Sequence, residues 1–179
     1  MPKLNIIVAA CNNNGIGIEG RLPWRLKSDM SFFKQITLRT QDAEKKNAVI
    51  MGKNTWFSIP SKFRPLVGRI NVVLSTQMTD APEGTQLAKS LNQAVSLLES
   101  LNVENIFVIG GSTVYKQAME GEHPCRIYLT RIAADFLCDT FLPDITDKQF
   151  KQIPNPPYVP DNVFDENGIK YSIQVYEKI

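Results

Sequence analysis

A chain of 179 residues that is 43% apolar and 21% charged has the balance of an ordinary globular fold, long enough to bury roughly 70% of its unfolded surface. Its net charge of +2, with no basic run of five or more, argues against a nucleic-acid scaffold, and no stretch approaches the ~20 apolar residues of a membrane span. Cys11, Cys125 and Cys138 are odd in number and lack a Cys-x-x-Cys spacing, so free thiols in a reducing compartment, the cytoplasm, are expected.

In chain order, "MPKLNIIVAAC" carries one lysine and a short apolar run, and it reads as a first strand, Leu4 to Ala10, not as a leader. Gly15 to Gly20 then spell a literal GxGxxG. A dinucleotide fingerprint needs strand, tight turn and helix in direct succession. Here three asparagines precede the first glycine, and Pro23 disfavours helix at Leu22. A flexible loop that closes over a site fits better, with an inert turn as the alternative. Leu26 to Arg39 follows as a helix. At 100° per residue, Leu26, Met30, Phe33 and Thr37 share a stripe, Phe32 and Ile36 flank it, and Asp29 falls inside the apolar sector. Two explanations stand for that acid: a first-turn carboxylate favoured by the helix dipole, or a desolvated carboxylate in a pocket, its pKa raised, of the kind that clusters at functional sites.

Strands are expected at Asn47 to Gly52, Arg69 to Ser75, Asn105 to Gly110 and Cys125 to Ile132, several of them almost continuously apolar, as strands covered on both faces of a parallel sheet are. Between them lie helices at Ser90 to Leu101 and Ser112 to Met119, with Ser90 and Ser112 at N-cap positions. Gly52 leads into Lys53 and Thr55 at a short helix start, and Gly110-Gly111 leads into Ser112 and Thr113. Two glycine-tipped strand ends that feed hydroxyl-bearing helix starts point to phosphate binding, and neither is a P-loop. The four prolines between Ile153 and Pro160 mark a stiff surface loop. "ENG" before the alternating "GIKYSIQVYEK" predicts a hairpin and an antiparallel finish. The single histidine, His123 in "GEHPC", reads as a solvated loop residue, so neither a Ser/His/Asp triad nor a histidine-rich metal site is expected, and no metal is expected. Any chemistry is then expected to be borrowed from a cofactor.

Taken together, "NNGIG", "LPW", the helix acid, "VIMGKNTWFSIP", "RPLVGRINVVLS", "VIGGSTVY", "YLTRI", "DTFLP" and "GIKYSIQVYEK" resemble the dihydrofolate reductase family of eukaryotic type, in order from Leu4 to Lys178. The resemblance implies one domain over residues 1–179. Its fold would be an α/β, eight-stranded, mostly parallel twisted sheet with flanking helices and an antiparallel C-terminal strand. It also implies NADPH-dependent reduction of 7,8-dihydrofolate to tetrahydrofolate by a monomer, open to antifolates.

By the same resemblance, Asp29 matches the acid that bonds the pteridine's amino group and ring nitrogen, and Thr130 supports it. Ile7, Val8, Ile109 and Tyr115 line the ring site; Met30 and Phe33 flank it. Ser58, Ile59, Pro60 and Leu66 lie against the benzoyl portion, and Arg69 pairs with the tail α-carboxylate. Leu22 belongs to the glycine-rich segment that closes over the nicotinamide, with Ala9, Ile16, Gly17, Gly20 and Trp24 beside it. Phosphate and ribose contacts fall to Gly52, Lys53, Asn54 and Thr55, to Leu74, Ser75, Thr76 and Lys89, and to Ser112, Thr113 and Val114. Gly110-Gly111 matches a family dipeptide with a cis bond. There are departures: Thr76 and Lys89 stand where vertebrate relatives carry arginines, and the acid is an aspartate one residue closer to "LPW". A reductase of another pterin or a pyrimidine, or a non-catalytic folate-binding protein, is the alternative.

Overall fold

The apolar runs become strands because helices cover both of their faces. The structure, a computed structural model, describes residues 1–179. Its elements are β1 (Leu4–Ala10), β2 (Gly15–Gly17), α1 (Lys27–Leu38), β3 (Lys46–Gly52), α2 (Lys53–Ser58), β4 (Ile70–Leu74), β5 (Gln86–Ala88), α3 (Leu91–Glu99), β6 (Val103–Val108) and α4 (Ser112–Glu120). They are followed by β7 (Cys125–Ile132), β8 (Thr140–Phe141), β9 (Phe150–Ile153), β10 (Phe164–Glu166) and β11 (Ile169–Lys178).

One sheet runs β10-β11-β7-β1-β6-β3-β4-β5 through eight strands, with β9 added on β11. From β7 to β5 every pairing is parallel, while β11 is antiparallel to β7, β9 and β10. Side chains alternate across it. Leu4, Ile6, Val8, Ile50, Val72 and Val108 face one way, onto Leu91, Val95 and Leu98 of α3 and Val114 and Met119 of α4. Ile7, Val49, Met51, Val73 and Phe107 face the other, onto Phe32 and Ile36 of α1 and Trp56 of α2. The Asn-Gly turn forms as expected: Asn167 and Gly168 have φ of 54° and 79°, between β10 and β11. Ser90 caps α3, accepting from the Gln93 N–H.

Three expectations change. The buried stripe of α1 is Phe32, Ile36 and Thr37, while Met30 is 57% exposed; the face turned to the sheet is rotated from the one the wheel favours. The N-cap of α4 is Gly111, and Ser112 is its first helical residue with no capping bond. His123, expected in solvent, is half-buried, its Nδ1 3.3 Å from the Pro2 carbonyl oxygen.

Candidate active site

Helix α1 carries the acid, and the way α1 begins fixes where that acid sits. Leu26 at the N-cap offers no side-chain bond, so the free N–H groups of the first turn need another acceptor. Glu166 of β10 supplies it, accepting from Lys27 N–H at 2.6 Å and Ser28 N–H at 3.2 Å. One residue on, Asp29 accepts a 2.6 Å bond from the hydroxyl of Thr130 on β7. Thr130 is 3% exposed, so the carboxylate is tied to the buried sheet and does not cap its own helix. Burial raises the Asp29 pKa above its usual value; the Thr130 bond opposes that, and the like charge of Glu166 adds to it. Those two N–H bonds hold the Glu166 pKa below its usual range.

Beside the acid, Phe33, Ile59 and Leu66 pack, partly buried, against the core that contains Ile7, Phe32 and Trp56. Ser58 and Pro60 are exposed, and the Ser58 hydroxyl donates to the Thr55 carbonyl at 2.6 Å. Arg69, next to β4, donates to Thr37 Oγ1 at 2.9 Å and to the Val67 carbonyl at 3.1 Å. Those two bonds use only part of a five-donor guanidinium, leaving the rest of the fork for an anion.

The glycine tips meet on the same sheet edge. Gly52 N–H donates to the Gly110 carbonyl at 2.9 Å, and the Gly110-Gly111 bond is cis. A Cβ on Gly110 would lie 3.0 Å from Thr55 Oγ1, and one on Gly52 3.5 Å from Val114 Cγ2. The expected phosphate positions of β3, α2, β6 and α4 are therefore one assembly. Ile109 N–H bonds the Ile50 carbonyl at 3.0 Å. Tyr115, 5% exposed, reaches back from α4 and donates its hydroxyl to the Ile7 carbonyl at 2.9 Å. Burial pushes its phenol pKa well up.

Farther along that edge, Lys53 Nζ donates to Gln77 Oε1 at 3.2 Å, and Ser75 Oγ accepts from Gln77 and Met78 N–H, each at 3.1 Å. Thr76 and Lys89 line one cavity of about 350 Å³, with Met78, Leu87 and Gln93. A larger cavity, about 440 Å³, includes Asn5, Ile106 and Arg126 and contains none of the expected residues; it opens at the strands' other ends. Leu74 is buried on β4.

The glycine-rich segment starts as structure, not as a loose loop. Gly15 to Gly17 form β2, paired with β8 at Gly15–Phe141 and Gly17–Thr140, and Ile16 packs on the core. Past it, Gly20 turns at φ 74°, and Leu22 is 57% exposed. Trp24 is 6% exposed and meets Phe136 edge-on at 5.4 Å. Its Nε1 is buried without an acceptor, a donor that a bound molecule would satisfy. Glu166 was not foreseen: only the hairpin's return to α1 reveals it, and the one sequence signal was the missing capping side chain at Leu26.

A family model described as dihydrofolate reductase matches residues 3–178. The chain is 46% identical over 181 residues to the dihydrofolate reductase of Drosophila melanogaster, covering 99% of each. It is 46% identical over 182 residues to that of Gallus gallus, covering 98% of this chain and 96% of the other. The solved Schistosoma mansoni dihydrofolate reductase superposes with a TM-score of 0.87 at 41% identity, covering 98% of each chain. A full-length match in both sequence and fold places this chain in the dihydrofolate reductase family.

Proposed function

We propose that this chain, acting as one domain, reduces 7,8-dihydrofolate to tetrahydrofolate with NADPH. The observation that carries the reading is the half-buried Asp29 carboxylate, anchored to Thr130 and raised by burial, on a family member whose two glycine-tipped strands adjoin. A carboxylate out of water needs donors. The amino group and ring N–H of a pterin supply them in the bidentate arrangement that a carboxylate accepts. Thr130 already occupies one oxygen and fixes the plane of the group. Met30 and Phe33 then flank the ring, and Ile59, Pro60 and Leu66 hold the benzoyl portion. Arg69, preset by Thr37 and Val67, pairs with the tail carboxylate.

The residues present also fit a dinucleotide phosphate. Lys53, Thr55 and the uncapped start of α4 at Ser112 and Thr113 offer cation, hydroxyl and N–H donors. The cavity at Thr76 and Lys89 takes the far ribose, with Ser75 and Lys53 beside it. When bound, NADPH supplies the hydride. Asp29 orients the acceptor ring, and its raised pKa favours a proton reaching the adjacent ring nitrogen through water. Gly17, Gly20 and Leu22 exclude bulk water once the segment closes. No helix is long and apolar enough to cross a membrane, and we place the enzyme in the cytoplasm, acting as a monomer on a small molecule.

Following NADPH absorbance near 340 nm after dihydrofolate is added tests the reading. Rapid loss of absorbance with dihydrofolate, and slow loss with dihydrobiopterin, which has no carboxylate for Arg69, is the expected result. Binding without oxidation would leave a folate-binding protein; equal turnover of both would leave a broader pterin reductase.

A further inference from the structure

Two thiols face each other under the strand that opens the glycine-rich segment. Cys11, just past β1, is fully buried, and Cys138, ahead of β8, is half-buried; their Sγ atoms are 4.0 Å apart. Backbone bonds hold both flanks to the same short strand. Cys11 N–H donates to Gly15 O at 3.0 Å and Asp139 N–H to Gly17 O at 3.0 Å, while Leu142 N–H donates to Asn14 O at 2.9 Å. Gly15 lies against both sulfurs: a Cβ there would overlap the Cys138 side chain and come within 3.0 Å of Cys11 Sγ. That glycine is required by space, since its φ is not in the left-handed region. Cys125 sits apart, buried at the start of β7 with its thiol pushed up to about 12.

We propose that Cys11 and Cys138 form a reversible disulfide that displaces β2 and slows the reductase; the effect on rate rests on the proposed function, but the bridge does not. A disulfide is about 2.05 Å long, so each bridge draws the sulfurs roughly 2 Å closer than they stand. The flanks of both cysteines are bonded to β2, so that movement is passed to the strand that leads into Gly20 and Leu22. With hydrogen peroxide as oxidant, the more exposed Cys138 sulfur attacks the peroxide, the O–O bond breaks, and a sulfenic acid and one water result. The Cys11 sulfur then attacks Cys138, the S–S bond forms, the S–O bond breaks, and a second water leaves. Two thiols and one peroxide thus give one disulfide and two waters. A dithiol returns the two electrons. The thiolate is the attacking form, and burial and the Cys11 sulfur raise the Cys138 pKa, with Asp139 adding a like charge. Arg131 Nη1 donates to the Cys11 carbonyl at 2.9 Å and to Asn14 Oδ1 at 3.0 Å. The reaction is accordingly run at mildly alkaline pH.

The test is to treat the whole protein with hydrogen peroxide and read intact mass, peptide map and NADPH oxidation with dihydrofolate. The expected result is a loss of about 2 Da, a linked Cys11–Cys138 peptide, free Cys125, and a rate reduced at least about threefold that dithiothreitol restores. Cys138→Ser should show neither the mass loss nor the reversible rate loss. A gain of about 32 Da on Cys138 without linkage, or no change in mass, overturns the bridge. A linked peptide with an unchanged rate overturns the displacement of β2. Should untreated protein oxidise no NADPH with dihydrofolate, the proposed function fails, while the mass and peptide map still decide the bridge.

Discussion

Asp29 and Arg69 show how differently two charged side chains are held before any ligand arrives. Asp29 has one anchor, the Thr130 hydroxyl, and a raised pKa; Arg69 has two acceptors and spare donors. Arg69→Leu should therefore weaken dihydrofolate binding by the worth of charge-assisted bonds, about 1.5–3 kcal/mol or roughly 10- to 150-fold. NADPH affinity should be kept, and titration calorimetry with each ligand checks it; equal losses for both would signal misfolding. Glu166 acts on Asp29 from outside. Its charge raises the Asp29 pKa, so Glu166→Gln should lower that pKa and move the alkaline fall of hydride transfer to lower pH. A rate–pH profile reads the shift, and an unmoved midpoint would confine Glu166 to holding α1. The acid's place in an apolar sector was legible from helical spacing alone, whereas the roles of Thr130 and Arg69 came only through the family resemblance. Glu166 was not legible, because its partners lie 139 and 138 residues away.

At the scale of elements, the long strands were readable because coverage on both faces demands unbroken apolar runs. The short strands were not. β2, β5, β8 and β9 have two to four residues each, too few to show a period, and their pairing is set by neighbours distant in sequence. The face of α1 was misjudged for a related reason: Met30 is apolar yet 57% exposed, and helical spacing alone does not separate an exposed apolar residue from a core one. α4 and β1 are coupled through the Tyr115 hydroxyl and the Ile7 carbonyl. Tyr115→Phe should remove that bond and cost on the order of 1 kcal/mol, read by urea denaturation. Unchanged stability would mean that the Ile7 carbonyl has found another donor.

Across the whole molecule, the acid is a liability for folding that the proposed chemistry retains. Because burial raises its pKa, folded protein binds that proton more tightly than unfolded chain. The associated stability is fully present below the ordinary aspartate range near 3.8 and is lost as pH rises through the raised value. Asp29→Asn keeps an acceptor for Thr130 and has no such loss, so its melting temperature should overtake wild type as pH rises toward neutrality. Equal melting profiles across that window would argue that the carboxylate is solvated. The same variant gives the most direct measurement of all, single-turnover oxidation of bound NADPH on mixing with dihydrofolate. At neutral pH the Asp29→Asn protein should bind NADPH normally and transfer hydride about 10²- to 10⁴-fold more slowly; a rate close to wild type would contradict the assignment of Asp29.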